Sequence, residues 1–384
     1  MADKKYDLIV VGAGVLGTFQ AYHALRRGLH VLHLEKDIYP VGSTVQNFGQ
    51  VVPSGMADRW FDYGVRGLDI YSSVQEKYDI SIRNNGSYYI ASDADELQII
   101  HELSDHYTKK GYAHTMYSKK QVLDKFPDLK AEYVQGAIVF EQELSAEPDK
   151  LITRLHSFMK QEFKNYELYY DHSVIACEST GDTVKVRTNQ GTDFTAAKLI
   201  ICNGYEFKSL FKKDFENSGI KISKLQMMRT VPLQNIKLPG NILTGLTIRR
   251  YESFEAYCPS FHTVEVPAHY RELREHGIHI LFKQAVDGSI IVGDSHEYAD
   301  VGKFADLGHT IKEHINTLMI NEANRIMPLD ASQIATSWAG FYSQHPDHIF
   351  EMDKESNIHI RTGIGGKGMT ASAGYAEYCI DKLF

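Results

Sequence analysis

Gly12, Gly14 and Gly17, spaced G-x-G-x-x-G, follow an apolar β-branched run from Leu8 to Val11. A helical stretch comes next, and Glu35 closes a second apolar run beginning at His30. Strand, glycine turn, helix and acid in this order read as a dinucleotide site. Gly12 allows the tight turn, Gly14 lets a pyrophosphate approach bare backbone, and Gly17 lets the helix pack closely. The helix opening at Val15 and Leu16 offers free N–H groups and a positive dipole end to phosphates. Glu35, with Lys36 beside it, is placed to accept hydrogen bonds from a ribose. A glycine-rich turn that merely packs is the alternative, and the motif does not say which dinucleotide binds.

A second strand–turn–helix lies at 358–383. The strand Ile358 to Thr362 runs into Gly363-Ile-Gly-Gly-Lys-Gly368, and Met369 and Thr370 open a helix. A nicotinamide dehydrogenase has no evident need of such an element. A flavin does, because its edge becomes anionic on reduction and a helix N-terminus stabilises that charge. Gly365, Gly366, Lys367, Gly368, Met369 and Thr370 are therefore expected beside a flavin. Leu199 to Cys202 is apolar and ends at Asn203 and Gly204, suiting a parallel strand that rejoins the first sheet beside the cofactor.

The positioning elements fit 384 residues with 43% hydrophobic and 23% charged content, a globular composition long enough for two packed domains. A net charge of −8 with no basic tract argues against nucleic acid. No apolar run approaches a membrane span, and the first strand follows at once on Met-Ala-Asp-Lys-Lys, so a cytoplasmic protein without signal peptide is expected. Cys177, Cys202, Cys258 and Cys379 are widely spaced and read as reduced, mostly buried thiols. Strands are expected at 86–92, 134–140, 166–177, 183–188 and 194–202, and helices at 93–109, 118–126 and 147–163. From 221 to 300 the chain reads as mostly strands, including 245–258 and 278–295 about an Asp287-Gly288 turn, with a helix at 303–326.

On these residues the chain resembles the FAD-dependent oxidoreductases of the D-amino acid oxidase, glycine oxidase and sarcosine oxidase group. The segments that carry the resemblance are the first βαβ, Gly42 to Gly49, Leu199 to Gly204, Trp338 to Asp347 and Gly363 to Thr370. It implies an α/β chain, α+β overall. A Rossmann-like FAD-binding domain (1–85, 143–220, 325–384) is interleaved with a mostly antiparallel β-sheet substrate domain (86–142, 221–324). It implies that Ser43, Thr44, Asn47, Phe48 and Gly49 run along the flavin and that Val174 presents backbone to the adenine. Within the group, Val45 to Pro53, Leu225 to Thr230 and Arg249 to Tyr251 resemble a bacterial branch associated with aminophosphonate breakdown. Gly340 matches the position where some sarcosine oxidases carry their covalent cysteine, so FAD is expected to be non-covalent. Tyr342 matches the position of the carboxylate-clamping arginine of glycine oxidase-like members, which argues against a plain α-amino acid. Related oxidases use a lysine near the ring to assist oxygen. The matching position is Thr370, so Lys367 is the remaining candidate and oxidase versus dehydrogenase stays open.

Flavin amine oxidation needs few side chains, since the cofactor carries the hard step while the protein holds a neutral amine over the ring. An anionic substrate needs arginine, whose fork binds carboxylate or phosphonate bidentately. Arg229, Arg249 and Arg250 are the candidates. On a strand at most one of the last two faces inward. Tyr251 and Tyr342 are candidates for shaping the pocket, and His296 for a site role. His345 and His348 resemble a metal pair, but no further ligand cluster or H-E-x-x-H accompanies them, so no metal is expected. The expected reaction is oxidation of a C–N bond in a small anionic amine to an imine that hydrolyses to a carbonyl, with oxygen or another electron acceptor. Aminophosphonates or their N-methyl forms come first, glycine- or sarcosine-like amino acids next. A 2-hydroxy acid oxidation using His296 as base, or a non-catalytic flavin-binding protein, are the rivals.

Overall fold

The strand Lys5–Val11 pairs in parallel with Val31–Leu34 on one side and Asp193–Ile201 on the other. Tyr166–Tyr169 extends this sheet beside Val31–Leu34, and Ile358–Thr362 extends it beside Asp193–Ile201, again in parallel. The architecture is that of a computed structural model, which describes residues 5–384. Val31–Leu34 is buried at every position, as a parallel strand covered on both faces must be. An antiparallel flank, Val174–Ser179 and Val184–Thr188, completes an eight-stranded sheet together with Phe350–Glu355. The helix Val15–Arg26 and the terminal helix Gly368–Leu383 pack against each other, where His23 Nε2–H donates to Ala373 O at 2.9 Å.

A second sheet of nine strands is mostly antiparallel. Lys221–Thr230 is flanked by Ile334–Gln344 on one edge and by Ile290–Gly293 and Glu297–Asp300 on the other. Leu281–Gln284, Asn241–Leu243, Ser87–Ala91, Gly136–Phe140 and Thr115–Ser118 follow in that spatial order. Ile334–Gln344 therefore belongs to the second sheet over its whole length, so the expected boundary at 325 does not divide the two sheets. The strand returns to the first sheet only beyond it, after Ser343 Oγ donates to Gly204 O at 2.7 Å.

Three expected elements differ. Residues 245–258 are not a strand but two short helices, Gly245–Ile248 and Glu252–Tyr257. Tyr251, Phe254 and Cys258 recur every three to four residues, a helical spacing masked by the β-branched and aromatic composition. The helix expected at 303–326 begins only at Glu313–Ile326, because Gly308 takes φ +56° and ends a 3₁₀ segment at Val301–Leu307. The run 166–177 is two strands, broken where Asp171 adopts φ +56°.

Just after the strand Gly136–Phe140 lies a buried carboxyl, Glu143, fully excluded from solvent. It accepts from Ser54 N–H at 2.8 Å and Tyr112 O–H at 3.1 Å, and burial pushes its pKa up to about 7. The unfolded chain releases this proton near pH 4.5 and the folded one near 7, so the folded state binds more protons between those values. Stability is then expected to fall by about 3 kcal/mol as pH rises through that window. Glu143→Gln should remove this slope in urea titrations at pH 4.5 and 7.5. Parallel losses in both proteins would show that Glu143 does not carry it.

Candidate active site

Two adjoining cavities follow the C-terminal ends of the parallel strands, the crevice where open α/β sheets bind ligands. The first, about 160 Å³, is lined by Gly12, Glu35, Lys36, Val174 and Asn203 among others. The second, about 580 Å³, reaches from Val15, Leu16 and Gly17 to the second sheet. Gly14, Ser43, Thr44, Cys202 and Gly204 line both, joining them into one elongated cleft.

Its narrow end is built by close backbone approach. Gly12 takes φ +95°, and a Cβ there would lie 2.2 Å from Cys202 O, while one on Gly17 would lie 2.0 Å from Gly12 O. His33 Nε2–H donates to Gly12 O at 2.9 Å from below, with Nδ1 accepting from Tyr166 O–H at 2.9 Å. Burial lowers the His33 pKa to about 4, which keeps the ring neutral in that role. Glu35 accepts from Ala13 N–H at 2.8 Å and Asp37 N–H at 3.1 Å. Burial raises its pKa against those two bonds. Lys36 Nζ turns to Asp37 Oδ2 at 2.7 Å.

The loop after the second strand crosses the cleft. Val15 N–H donates to Thr44 Oγ1 at 2.9 Å, and Ser43 Oγ donates to Phe341 O at 2.7 Å. Asn47 lines the cavity with Phe48, yet its amide braces the loop, donating to Ser43 O and Thr44 O and accepting from Gly49 N–H. Two expected contacts lie outside the cleft lining. Gly49 takes φ +71° with Ala146 O 2.3 Å from its would-be Cβ, so it serves a backbone crossing. Gly340 faces Gln46 O and Leu225.

The far wall is the turn from Gly365 through Gly366, Lys367 and Gly368 to Met369 and Thr370, all lining the larger cavity. Thr370 Oγ1 accepts from Val52 N–H at 3.1 Å. Lys367 Nζ pairs with Glu252 and lies 3.2 Å from His348 Nδ1. His345 Nε2 instead meets Ser218 O at 2.9 Å, so the two histidines serve different partners.

Of the three arginines, Arg250 alone lines the cavity. Arg229 sits on the hairpin surface, donating to Ser289 Oγ at 2.6 Å and Asp287 Oδ2 at 2.9 Å. Arg249 is buried away from the cavity between Glu96 at 2.7 Å and Asp93 at 2.8 Å. One of the adjacent pair faces inward, through the bend between two helices rather than through strand alternation. Arg250 donates to the Tyr298 phenolic oxygen at 3.1 Å and to Gly277 O at 3.4 Å, and forms no ion pair among the described residues.

Tyr251, Tyr342 and His296 also line this cavity. Tyr251 stands edge-on to His279 at 5.8 Å, and Tyr342 to His296 at 6.2 Å. Burial raises the pKa of both phenols, so both remain O–H donors. Beside them sit Asp294 and His279, which the sequence reading did not single out. Burial raises the Asp294 pKa, but His296, His279 and Arg250 outweigh it and bring it down to about 2. Burial lowers the pKa of His279, and that of His296 to about 3. The signal was present: the pairing Leu281↔Gly293, continued past the strand ends, sets 278–280 beside 294–296.

A cleft of this length, with glycine turns at both ends and a polar cavity beside the second, is the form of a flavoprotein oxidoreductase. The chain belongs to the DAO family of FAD-dependent oxidoreductases, whose model matches residues 7–382. Monomeric sarcosine oxidase of Streptomyces avermitilis is 24% identical over 202 residues, a match spanning 52% of this chain and 52% of that relative. A subunit of the opine oxidase of Rhizobium meliloti is 22% identical over 89% of this chain and 83% of its own length. Glycine oxidase from Bacillus cereus superposes with a TM-score of 0.76 at 20% identity, covering 99% of this chain and 95% of that one. L-proline dehydrogenase from P. horikoshii gives 0.79 at 17% identity, covering 99% and 93%.

The residues fit FAD. Gln50 Nε2 and Asn203 Oδ1 are buried at the cleft and make no hydrogen bond within the protein, so both are available to a polar ligand. The helix N-terminus at Val15 suits a pyrophosphate and the one at Gly368 a flavin edge.

Proposed function

We propose that this chain oxidises the C–N bond of a small anionic amine, giving an imine that hydrolyses to a carbonyl. An aminophosphonate or its N-methyl derivative is the favoured substrate, with glycine- or sarcosine-like amino acids next. The observation that carries the reading is Arg250, a cavity-lining guanidinium that feels the Asp294 charge yet makes no direct ion pair among the described residues, which leaves N–H donors for a ligand. Such a charge is stable there only with an anion or water to satisfy its remaining donors. Glycine oxidase, sarcosine oxidase and iminodiacetate oxidase among the relatives are named for anionic amines, which supports the same class.

Gly12, Gly14, Val15, Ser43, Thr44 and Glu35 would hold the ADP half of FAD, and residues 365–370 the ring. Bound FAD supplies the two-electron acceptor. The protein's part is to hold the anion at Arg250 and Tyr298, to orient the amine between Tyr251 and Tyr342, and to exclude water. FAD is held without a covalent bond in this reading, and four unpaired cysteines suit a cytoplasmic protein. Among the described residues no helix is long and apolar enough to cross a membrane.

The test is anaerobic bleaching of the flavin by 2-aminoethylphosphonate, its N-methyl form, glycine, sarcosine, D-amino acids and a 2-hydroxy acid. Reduction by an aminophosphonate at the lowest concentration is expected. Reduction by the hydroxy acid alone would assign the bond to C–O and overturn the reading.

A further inference from the structure

His279, Asp294 and His296 lie at the open end of one hairpin, each buried, and one ligand atom from each falls within 4.8 Å of the other two. His279 Nε2 is 2.8 Å from Asp294 Oδ1 and His296 Nε2 is 3.9 Å from Asp294 Oδ2. The first contact is short but misdirected, leaving Oδ1 buried without a hydrogen bond. His296 Nδ1–H donates to Gly277 O at 3.0 Å, so its Nε2 carries a lone pair facing a carboxylate oxygen. His279 Nδ1 lies 3.4 Å from Thr247 Oγ1, which leaves its Nε2 on the carboxylate side as well. The two rings stack at 5.4 Å with 18° between planes.

The His296 Nε2 lone pair faces a carboxylate oxygen, an arrangement that a cation between them would satisfy. We infer that His279 Nε2, His296 Nε2 and Asp294 bind one divalent transition-metal ion. Outer acceptors that hold the Nδ1 atoms of both rings are the usual support of imidazole ligands. Metal–ligand bonds of about 2.0–2.2 Å in a tetrahedron place donor atoms about 3.3–3.6 Å apart. The observed 2.8 and 3.9 Å straddle that range, so small side-chain rotations complete the site. Two imidazoles and one carboxylate select zinc, iron, cobalt or nickel over calcium or magnesium. Three protein ligands leave the remaining position to the cavity that Arg250 also lines. An oxyanion there would meet the metal and the guanidinium together. That last point alone rests on the function proposed above.

The hairpin fixes the ligands before any ion arrives. His279 N–H donates to Asp294 O at 3.0 Å and His296 N–H to His276 O at 3.1 Å. The experiment treats the flavin-loaded protein with a chelator, then titrates Zn²⁺ by calorimetry and measures bound metal by mass spectrometry. One equivalent binding below micromolar Kd is expected, with Asp294→Asn and His296→Gln each weakening it at least about 100-fold while flavin content is kept. His345→Gln, at the histidine outside the cluster, should bind zinc as the parent does. Absence of saturable binding in the parent overturns the inference, as does binding that survives both cluster variants or is lost in His345→Gln. The amine screen does not enter this test, so either result can stand without the other.

Discussion

Arg250→Ala is expected to give a folded, yellow protein whose flavin is reduced by its substrate about 100- to 1,000-fold less efficiently at limiting concentration. Truncating a desolvated guanidinium that pairs with a ligand anion costs about 2–5 kcal/mol, and each 1.4 kcal/mol is tenfold. The size follows from the donor inventory. Arginine has five N–H donors, and Arg250 directs only two of its nitrogens to protein acceptors, Tyr298 and Gly277. Arg250→Lys should recover part of the loss, since it keeps the charge but not the fork. Arg229→Ala should change the same quantity less than about twofold, because a surface ion pair of this kind contributes little. Anaerobic stopped-flow reduction measures all three. An Arg250→Ala protein within threefold of the parent would remove the arginine from the substrate site.

Gly12→Ala should abolish FAD retention. The new Cβ would stand 2.2 Å from Cys202 O at a φ of +95°. Neither backbone can retreat, because Val11 and Ile201 are register partners in the parallel sheet and Cys202 N–H donates to Val11 O at 2.8 Å. The left-handed conformation alone costs an L-residue about 1–2 kcal/mol. The collision adds displacement of the turn that presents N–H groups to phosphate. Purified Gly12→Ala is expected to carry under about a tenth of the parent's flavin by the 450 to 280 nm absorbance ratio. Gly181→Ala is the matched control, with φ +89° in a surface hairpin and nothing within 4 Å of the new Cβ. It should lose about 1 kcal/mol of stability and keep its flavin. Equal flavin in both variants would mean that the first turn does not anchor the cofactor.

The glycine-lined end of the cleft was legible in the sequence because its geometry is backbone geometry. Glycines mark where the chain must turn or touch, and Gly12, Gly17 and the turn at 363–368 do so in the structure. The cavity wall around Arg250 was less legible because side-chain direction there depends on bends between elements. Arg249 and Arg250 are neighbours in sequence, yet one is locked between Glu96 and Asp93 while the other reaches the cavity. Only the second segment's helical turn, at odds with its β-rich composition, decides which. Asp294 precedes a serine and a histidine, and nothing in the linear sequence marks it. Its meaning appears only when the hairpin register brings His279 alongside.

The first sheet takes its strands from both halves of the chain, and this bears on how the protein is made. The wall at 365–370 is synthesised about 350 residues after Gly12, and Ile358–Thr362 must insert beside Asp193–Ile201 before that wall exists. On the ribosome the nucleotide-binding edge therefore waits, half-built, through translation of the entire second sheet. The two glycine turns that bound the cleft thus meet only when nearly the whole chain has been made.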